Sequence, residues 1–205
     1  MQYTVYLFDF DGTLVDSRAS LYPVFKAGYA SVGRDVTEEE AERWMHLNLY
    51  ESMMDSGIPH DQFETVIQAT IAALDLPESI AMITLFPDAM ETLERLHRQG
   101  AKIGIVSNNT AAHIRLVLEE KGIDFPFDVI VGSDMFENGK PSSEPIDKAL
   151  ELLAFDNREQ VVYIGDSLQD PECGKNARCG GILVDREGRY ATFDGVRVAG
   201  LGEIE

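Results

Sequence analysis

The sequence predicts an α/β fold, a Rossmann-like parallel sheet core with an inserted all-helical cap domain, and three observations lead there. Val5–Phe8, Lys102–Ser107, Val129–Val131, Val161–Ile164 and Ile182–Val184 are short, rich in Val and Ile, and mostly apolar throughout. Continuous apolar runs suit parallel strands covered on both faces. From residue 86 onward these runs alternate with helical patterning, the βαβ rhythm of an open sheet. Between about Asp16 and about Leu85 that rhythm breaks, and only helical patterning is found.

The elements come in this order. After the first strand, Leu21, Val24, Phe25, Gly28, Tyr29 and Val32 fall at helical spacing. Pro23 in that stripe requires the helix to start near Ser20 or to kink. Thr37 with Glu40 makes a capping box, and Asp61 with Glu64 makes a similar start for Phe63, Val66, Ile67 and Ile71. A helical interval this long exceeds a strand-to-strand crossover, which needs about a dozen residues or a little more. Residues 16–85 are therefore expected to form a cap, and residues 1–15 with 86–205 the core. In the core, Pro87 is placed to open a helix carrying Leu93 and Leu96, while Gly100 and Gly122 are placed to close two. The Gly-rich stretch from about Arg186 yields no prediction.

Composition narrows the function classes. The 205 residues, 44% hydrophobic and 26% charged, suffice for a full core. With 36 acidic against 17 basic residues the formal net charge is −19, which argues against nucleic acid or an anionic membrane as partner. An anionic substrate then has to be captured by local cations. The apolar opening Val5–Phe8 is broken by Asp9 and lacks a basic flank or a small-residue cleavage site. Neither a signal peptide nor a membrane span is expected, and the location expected is cytoplasmic. Cys173 and Cys179 are too few and wrongly spaced for a closed zinc site and read as ordinary thiols. His46, His60, His97 and His113 lack ligand spacing, Trp44 reads as a packing residue of the cap, and Arg34, Arg43 and His46 read as a solvated helix face.

The chemistry-bearing residues gather at strand ends, where open α/β sheets bind ligands. The first strand delivers Asp9, Asp11, Gly12 and Thr13; the second Ser107, Asn108 and Asn109; the third is followed by Lys140 and Pro141; the fourth delivers Gly165, Asp166, Ser167 and Asp170. Taken singly, Asp11-Gly12 reads as a hairpin turn, Ser107-Asn108-Asn109 as a strand end and helix cap, Lys140 as a turn lysine, and Asp166-Ser167 as a helix cap. These readings do not explain why all four arrive in order at successive strand ends.

Buried carboxylates need a positive partner. Several hard oxygen ligands without clustered His or Cys favour Mg²⁺, which would also bind a phosphoryl oxygen. Two aspartates two residues apart on an extended chain share a face. They divide the labour if the first attacks phosphorus, forming an aspartyl phosphate, and the second protonates the leaving oxygen and then activates water.

The DFDGT at 9–13, the strand ending in Ser107, the Lys140-Pro141 pair and the GDSLQD at 165–170 resemble, in that order, the haloacid dehalogenase superfamily. The likeness covers essentially the whole chain, and the insert resembles the cap of its phosphoglycolate-phosphatase-like and β-phosphoglucomutase-like members. The resemblance implies that Asp9 is the nucleophile and Asp11 the general acid/base. Thr13, Ser107, Asn108 and Lys140 would then bind phosphate, with Lys140 also steadying the nucleophile. Mg²⁺ would be held by Asp9, the backbone carbonyl of Asp11, and Asp166, with Asp170 in or just behind that shell. It argues against dehalogenation, since those members lack the second aspartate. Two departures stand out: Ser143 replaces a second proline after Lys140-Pro141, and the stretch Met45–Met54 lacks the glycine-bearing turn of many relatives. The expectation is a phosphatase for a small phosphorylated metabolite, working as a monomer or homodimer. The alternatives are a sugar-phosphate mutase and a non-catalytic phosphate-binding regulator.

Overall fold

The structure is a computed structural model describing residues 2–44, 47 and 49–205. The chain forms two compact units: one runs up to Asp16 and resumes as Leu85–Glu205, and the other is Ser17–Thr84.

The first unit is built on a six-stranded parallel sheet of β1 (Val5–Phe8), β2 (Lys102–Val106), β3 (Val129–Val131), β4 (Val161–Gly165), β5 (Gly180–Val184) and β6 (Val196–Val198). The spatial order is β3-β2-β1-β4-β5-β6, the doubly wound order whose switch point lies between β1 and β4. Phe8 at the end of β1 is level with Ile105 on one side and Ile164 on the other. The residues just past β1 therefore lie beside those just past β4. The four central-strand residues Val5, Tyr6, Leu7 and Phe8 are fully buried, as the unbroken apolar run predicts.

The expected strands match within two residues at each end, and β6 is an addition. It is a sheet edge, short and exposed, so it carries no apolar run. Leu93 and Leu96 are buried on the helix Ala89–Arg98, with Pro87 just ahead of its Asp88 N-cap and Gly100 beyond its end at φ +87°. Gly122 at φ +63° likewise comes after the helix Ala111–Glu120. The helix Glu144–Leu153 packs Ile146, Ala149, Leu150 and Leu153 into a cluster with Val5, Leu7, Val106, Val129, Val131, Val161 and Tyr163.

The second unit consists of the helices Arg18–Ala30, Glu38–Trp44, Leu49–Ser56, Phe63–Leu74 and Pro77–Met82. Its core is Trp44, fully buried, stacked on Tyr29 at 4.9 Å and met edge-on by Phe25 at 5.6 Å. The indole N–H, which would be costly to bury unpaired, donates to Asp55 Oδ2 at 2.7 Å. The guanidinium of Arg34 lies over the rings of Tyr29 and Trp44 and pairs with Glu40 at 2.6 Å, while Arg43 pairs with Asp55 at 2.8 Å. Both arginines are thus engaged within the unit. His46 and Met45 lie outside the described residues.

Three local expectations need correction. The first helix begins at Arg18, two residues before Ser20, so Pro23 falls inside it and removes one main-chain donor from the second turn. Asp61 and Glu64 form no capping box: a 3₁₀ turn over His60–Gln62 intervenes, the helix starts at Phe63, and Glu64 instead accepts from Gln68 at 2.8 Å. Thr84–Leu85 and Val15–Asp16 are two-residue strands where only helical patterning is expected.

The other capping box is present in both directions. Thr37 N–H donates to Glu40 Oε2 at 3.0 Å, and Glu40 N–H donates to Thr37 Oγ1 at 3.2 Å. The bond to Arg34, and after it that to Thr37, holds the Glu40 carboxyl down at about 2. A depressed carboxyl contributes stability above its unfolded value of about 4.3, and the contribution is lost as pH falls through the folded value. We therefore expect Glu40→Ala to lower stability by about 1 kcal/mol at pH 7. The gap from wild type should narrow below about pH 4 and close near pH 2. Denaturant titrations at several pH values check this; a gap independent of pH would contradict it.

Candidate active site

The site lies within the first unit, at the carboxyl ends of β1, β2 and β4. Asp9 directly succeeds β1, and its N–H continues the ladder by donating to Ile164 O at 2.8 Å. The backbone then turns at once. Gly12 N–H donates to Val15 O at 2.8 Å, and both Leu14 and Val15 N–H donate to Phe10 O. Gly12 adopts φ +76°, and a Cβ there would stand 2.2 Å from Asp166 Oδ2. The glycine thus serves the turn and also gives the Asp166 carboxylate its room.

Asp9, 5% exposed, places Oδ2 2.9 Å from Lys140 Nζ. The same ammonium binds Oδ1 of the fully buried Asp170 at 2.8 Å and lies over the Tyr163 ring, 5.8 Å from its centroid. Asp170 is saturated on its other oxygen, which accepts from Ser167 N–H and Ser167 Oγ, both at 2.8 Å. It can sit this close to the strand because residue 165 is glycine: a Cβ there would be 2.2 Å from Asp170 Cγ. Carboxylate oxygens of Asp9, Asp166 and Asp170 all lie within 4.8 Å of one another.

Burial pushes the Asp9 carboxyl well above the usual carboxylate range, opposed by Lys140 and reinforced by Asp170 and Asp166. Burial, then Asp170, pushes Asp166 up to about 7. For Lys140, burial acts downward, but the facing acids Asp170 and Asp9 outweigh it, and the ammonium is held well above its ordinary value. With all three acids ionised, one lysine would leave the cluster net negative, and the raised Asp9 and Asp166 carboxyls express that mutual repulsion and burial. An all-oxygen, partly uncompensated cluster of this kind fits a hard divalent cation.

The remaining predicted residues take different positions. Asp11 turns its carboxylate to Asn109, whose Nδ2 donates to Asp11 Oδ2 at 2.6 Å, and its side chain is not one of the three clustered acids. Ser107 is buried, and its Oγ accepts from Asn109 N–H at 3.1 Å. Asn108 is exposed, and its Oδ1 accepts from Lys140 N–H at 3.2 Å, fixing the loop that carries the lysine. The Thr13 side chain is fully buried, and its Oγ1 has no hydrogen-bond partner among the described residues. Sequence reasoning brings Asn109 and Ser167 to the strand ends without a specific role for either, and does not single out Tyr163. Nothing in the triplet Ser107-Asn108-Asn109 says which amide turns toward Asp11.

Residues 6–184 match the model of the haloacid dehalogenase-like hydrolases. The chain belongs to that family. A haloacid dehalogenase-like hydrolase from Bacteroides fragilis superposes with a TM-score of 0.87 at 31% identity, covering 99% of this chain and 100% of that one. Pyrophosphatase PpaX of Listeria monocytogenes is 30% identical over 176 residues, 85% of this chain and 79% of that protein. Phosphoglycolate phosphatase of Salmonella typhi is 29% identical over 197 residues, covering 84% and 77% respectively. Among the described residues no helix is long and apolar enough to cross a membrane.

For a haloacid dehalogenase-like hydrolase with this acidic cluster, the raised Asp166 carboxyl has a consequence for stability. A carboxyl whose folded value lies above its unfolded one favours the fold fully below about pH 4, and that contribution is lost as pH rises through about 7. In EDTA at pH 8, Asp166→Asn should therefore be more stable than wild type by on the order of 2 kcal/mol, or roughly 5 °C in Tm. Adding Mg²⁺ should raise the Tm of wild type more than that of the variant. Equal responses to the cation would contradict the assignment.

Proposed function

We propose that this hydrolase is a Mg²⁺-dependent phosphatase that cleaves small phosphomonoesters through an aspartyl phosphate on Asp9. The observation that carries the reading is the Asp9 carboxylate itself. It is buried, held by Lys140 at 2.9 Å, and placed at the topological switch point with a second carboxylate two residues on. The name of the phosphoglycolate phosphatase relative supports a phosphomonoester, and that of the pyrophosphatase relative supports a small phosphorylated substrate more broadly.

These residues define the chemistry. An oxygen of Asp9 attacks phosphorus as the bond to the ester oxygen breaks, and Asp11 gives its proton to the departing oxygen. Water then attacks the phosphorus of the aspartyl phosphate, Asp11 takes the water proton, and Asp9 is released as carboxylate. Lys140 remains protonated, since Asp170 and Asp9 hold its proton, and it lends positive charge to the nucleophile and the phosphoryl oxygens. Ser107 Oγ keeps its own O–H free for a phosphoryl oxygen, because toward Asn109 it acts only as acceptor. Asp9, Asp166 and the backbone carbonyl of Asp11 would hold Mg²⁺, with Asp170 behind them locking Lys140. When bound, that cation would balance the excess negative charge and offer a phosphoryl oxygen a positive ligand. The helical unit is assigned the role of cap. Its support is its position in the sequence, entered immediately after the Asp9–Thr13 turn, and its role would be to exclude water and select the ester.

The test is phosphate release from phosphoglycolate, pyrophosphate, sugar phosphates and nucleoside monophosphates, with Mg²⁺ and with EDTA. Wild type should release phosphate only with the cation, and Asp9→Asn should lose activity by at least about 10³-fold without loss of fold. Undiminished release by Asp9→Asn would overturn the mechanism, and accumulation of an isomerised sugar phosphate would replace the phosphatase reading by a mutase.

A further inference from the structure

Asn109 has no part in the proposed phosphoryl transfer, yet it makes a short polar contact to the acid/base residue. Its Nδ2 lies 2.6 Å from Asp11 Oδ2. Asp11 Oδ2 accepts, either as a carboxylate oxygen or as the carbonyl oxygen of an acid with its proton on Oδ1, so the NH₂ of the amide faces Asp11. The main chain of Asn109 is tied on both sides. Its N–H donates to Ser107 Oγ at 3.1 Å, and its carbonyl accepts from Ser133 N–H at 2.8 Å. The next residues are pinned as well. Thr110 Oγ1 accepts from His113 N–H at 3.1 Å, and Ala111 N–H donates to Asp134 Oδ1 at 2.8 Å. Gly132 keeps that approach open, since a Cβ there would stand 2.0 Å from Ala111 N and 2.7 Å from Asn109 O. The amide is therefore carried on a loop anchored to β2, to the helix after it and to the loop after β3. Asp11, by contrast, lies in a tight turn and takes no part in the Lys140 ion pairs with Asp9 and Asp170.

We propose that Asn109 is a positioning residue for proton transfer: by engaging Oδ2 it orients Asp11 so that Oδ1 exchanges the proton with the ester oxygen. The proposal rests on the reading of Asp11 as general acid/base. It separates Asn109 from a phosphate-binding role, because a group that orients only the acid matters in proportion to how much the leaving oxygen needs a proton. An alkoxide leaves poorly without one, whereas a dinitrophenolate needs none.

The test compares kcat/KM, which reports the steps up to phosphoryl transfer, for glycerol phosphate and for 2,4-dinitrophenyl phosphate in wild type, Asn109→Ala and Asn109→Leu. The alkyl ester should lose about 10²-fold and the activated aryl ester less than about threefold. The ratio of the two rates is independent of the fraction of active protein, so partial unfolding of a variant does not mimic the result. An equal loss on both esters would overturn the proposal in favour of phosphate binding or a purely structural role, and so would no loss on either. If wild type cleaves neither ester, the phosphatase reading falls, and this proposal falls with it.

Discussion

Asp9 and Asp170 share a single ammonium, that of Lys140, at 2.9 and 2.8 Å, and a third carboxylate, Asp166, stands within 4.8 Å of both. Three acids and one base in a largely buried cluster form an arrangement that burial alone would reject. The fold holds it because Asp9 and Asp166 directly follow strands of the sheet, Asp170 sits in the first turn of the helix Gln169–Asn176, and close approach is built into the backbone. Gly12 clears Asp166 and Gly165 clears Asp170, so neither carboxylate is displaced by a side chain. The lysine loop is in turn held from behind by Asn108, and Asp170 by Ser167. That crowding of acids is what a divalent cation would relieve while remaining free to bind a phosphoryl oxygen.

The strand order explains why four distant stretches of sequence meet. With β1 between β2 and β4, the residues after Phe8, Val106 and Gly165 emerge side by side, and the loop after β3 delivers Lys140 to the same edge. The two aspartates differ in surroundings as well as in position: Asp9 faces the lysine, while Asp11, two residues on, faces Asn109, as the proposed division of labour would need. A buried nucleophile and a separately oriented proton donor are what phosphoryl transfer and the ensuing hydrolysis require.

Much of this is legible in the sequence for one physical reason. Buried parallel strands must be apolar on both faces, so Val5–Phe8 and Val129–Val131 announce themselves, and carboxylates at their ends stand out against that background. The edge strand Val196–Val198 is not legible, because its partly exposed residues obey no such rule. Local helix signals are mixed. Thr37 and Glu40 cap as their spacing says, but Pro59 leads into a 3₁₀ turn at His60 that shifts the next helix start away from Asp61. The partners that orient the acids, Asn109 for Asp11 and Ser167 for Asp170, depend on side-chain direction at strand ends. Sequence spacing does not encode it.

The central claim is that Asp9 becomes covalently phosphorylated. The most direct measurement is rapid-quench mass spectrometry of the Asp11→Asn variant mixed with a substrate that wild type turns over, in the presence of Mg²⁺. On the proposed mechanism that variant would retain the nucleophile and the metal ligands but be slowed in the water step. The account predicts one phosphoryl group on the peptide containing Asp9, absent in EDTA and absent when Asp9 is also Asn. Phosphate release without any such adduct, or a phosphoryl group on another residue, would contradict it.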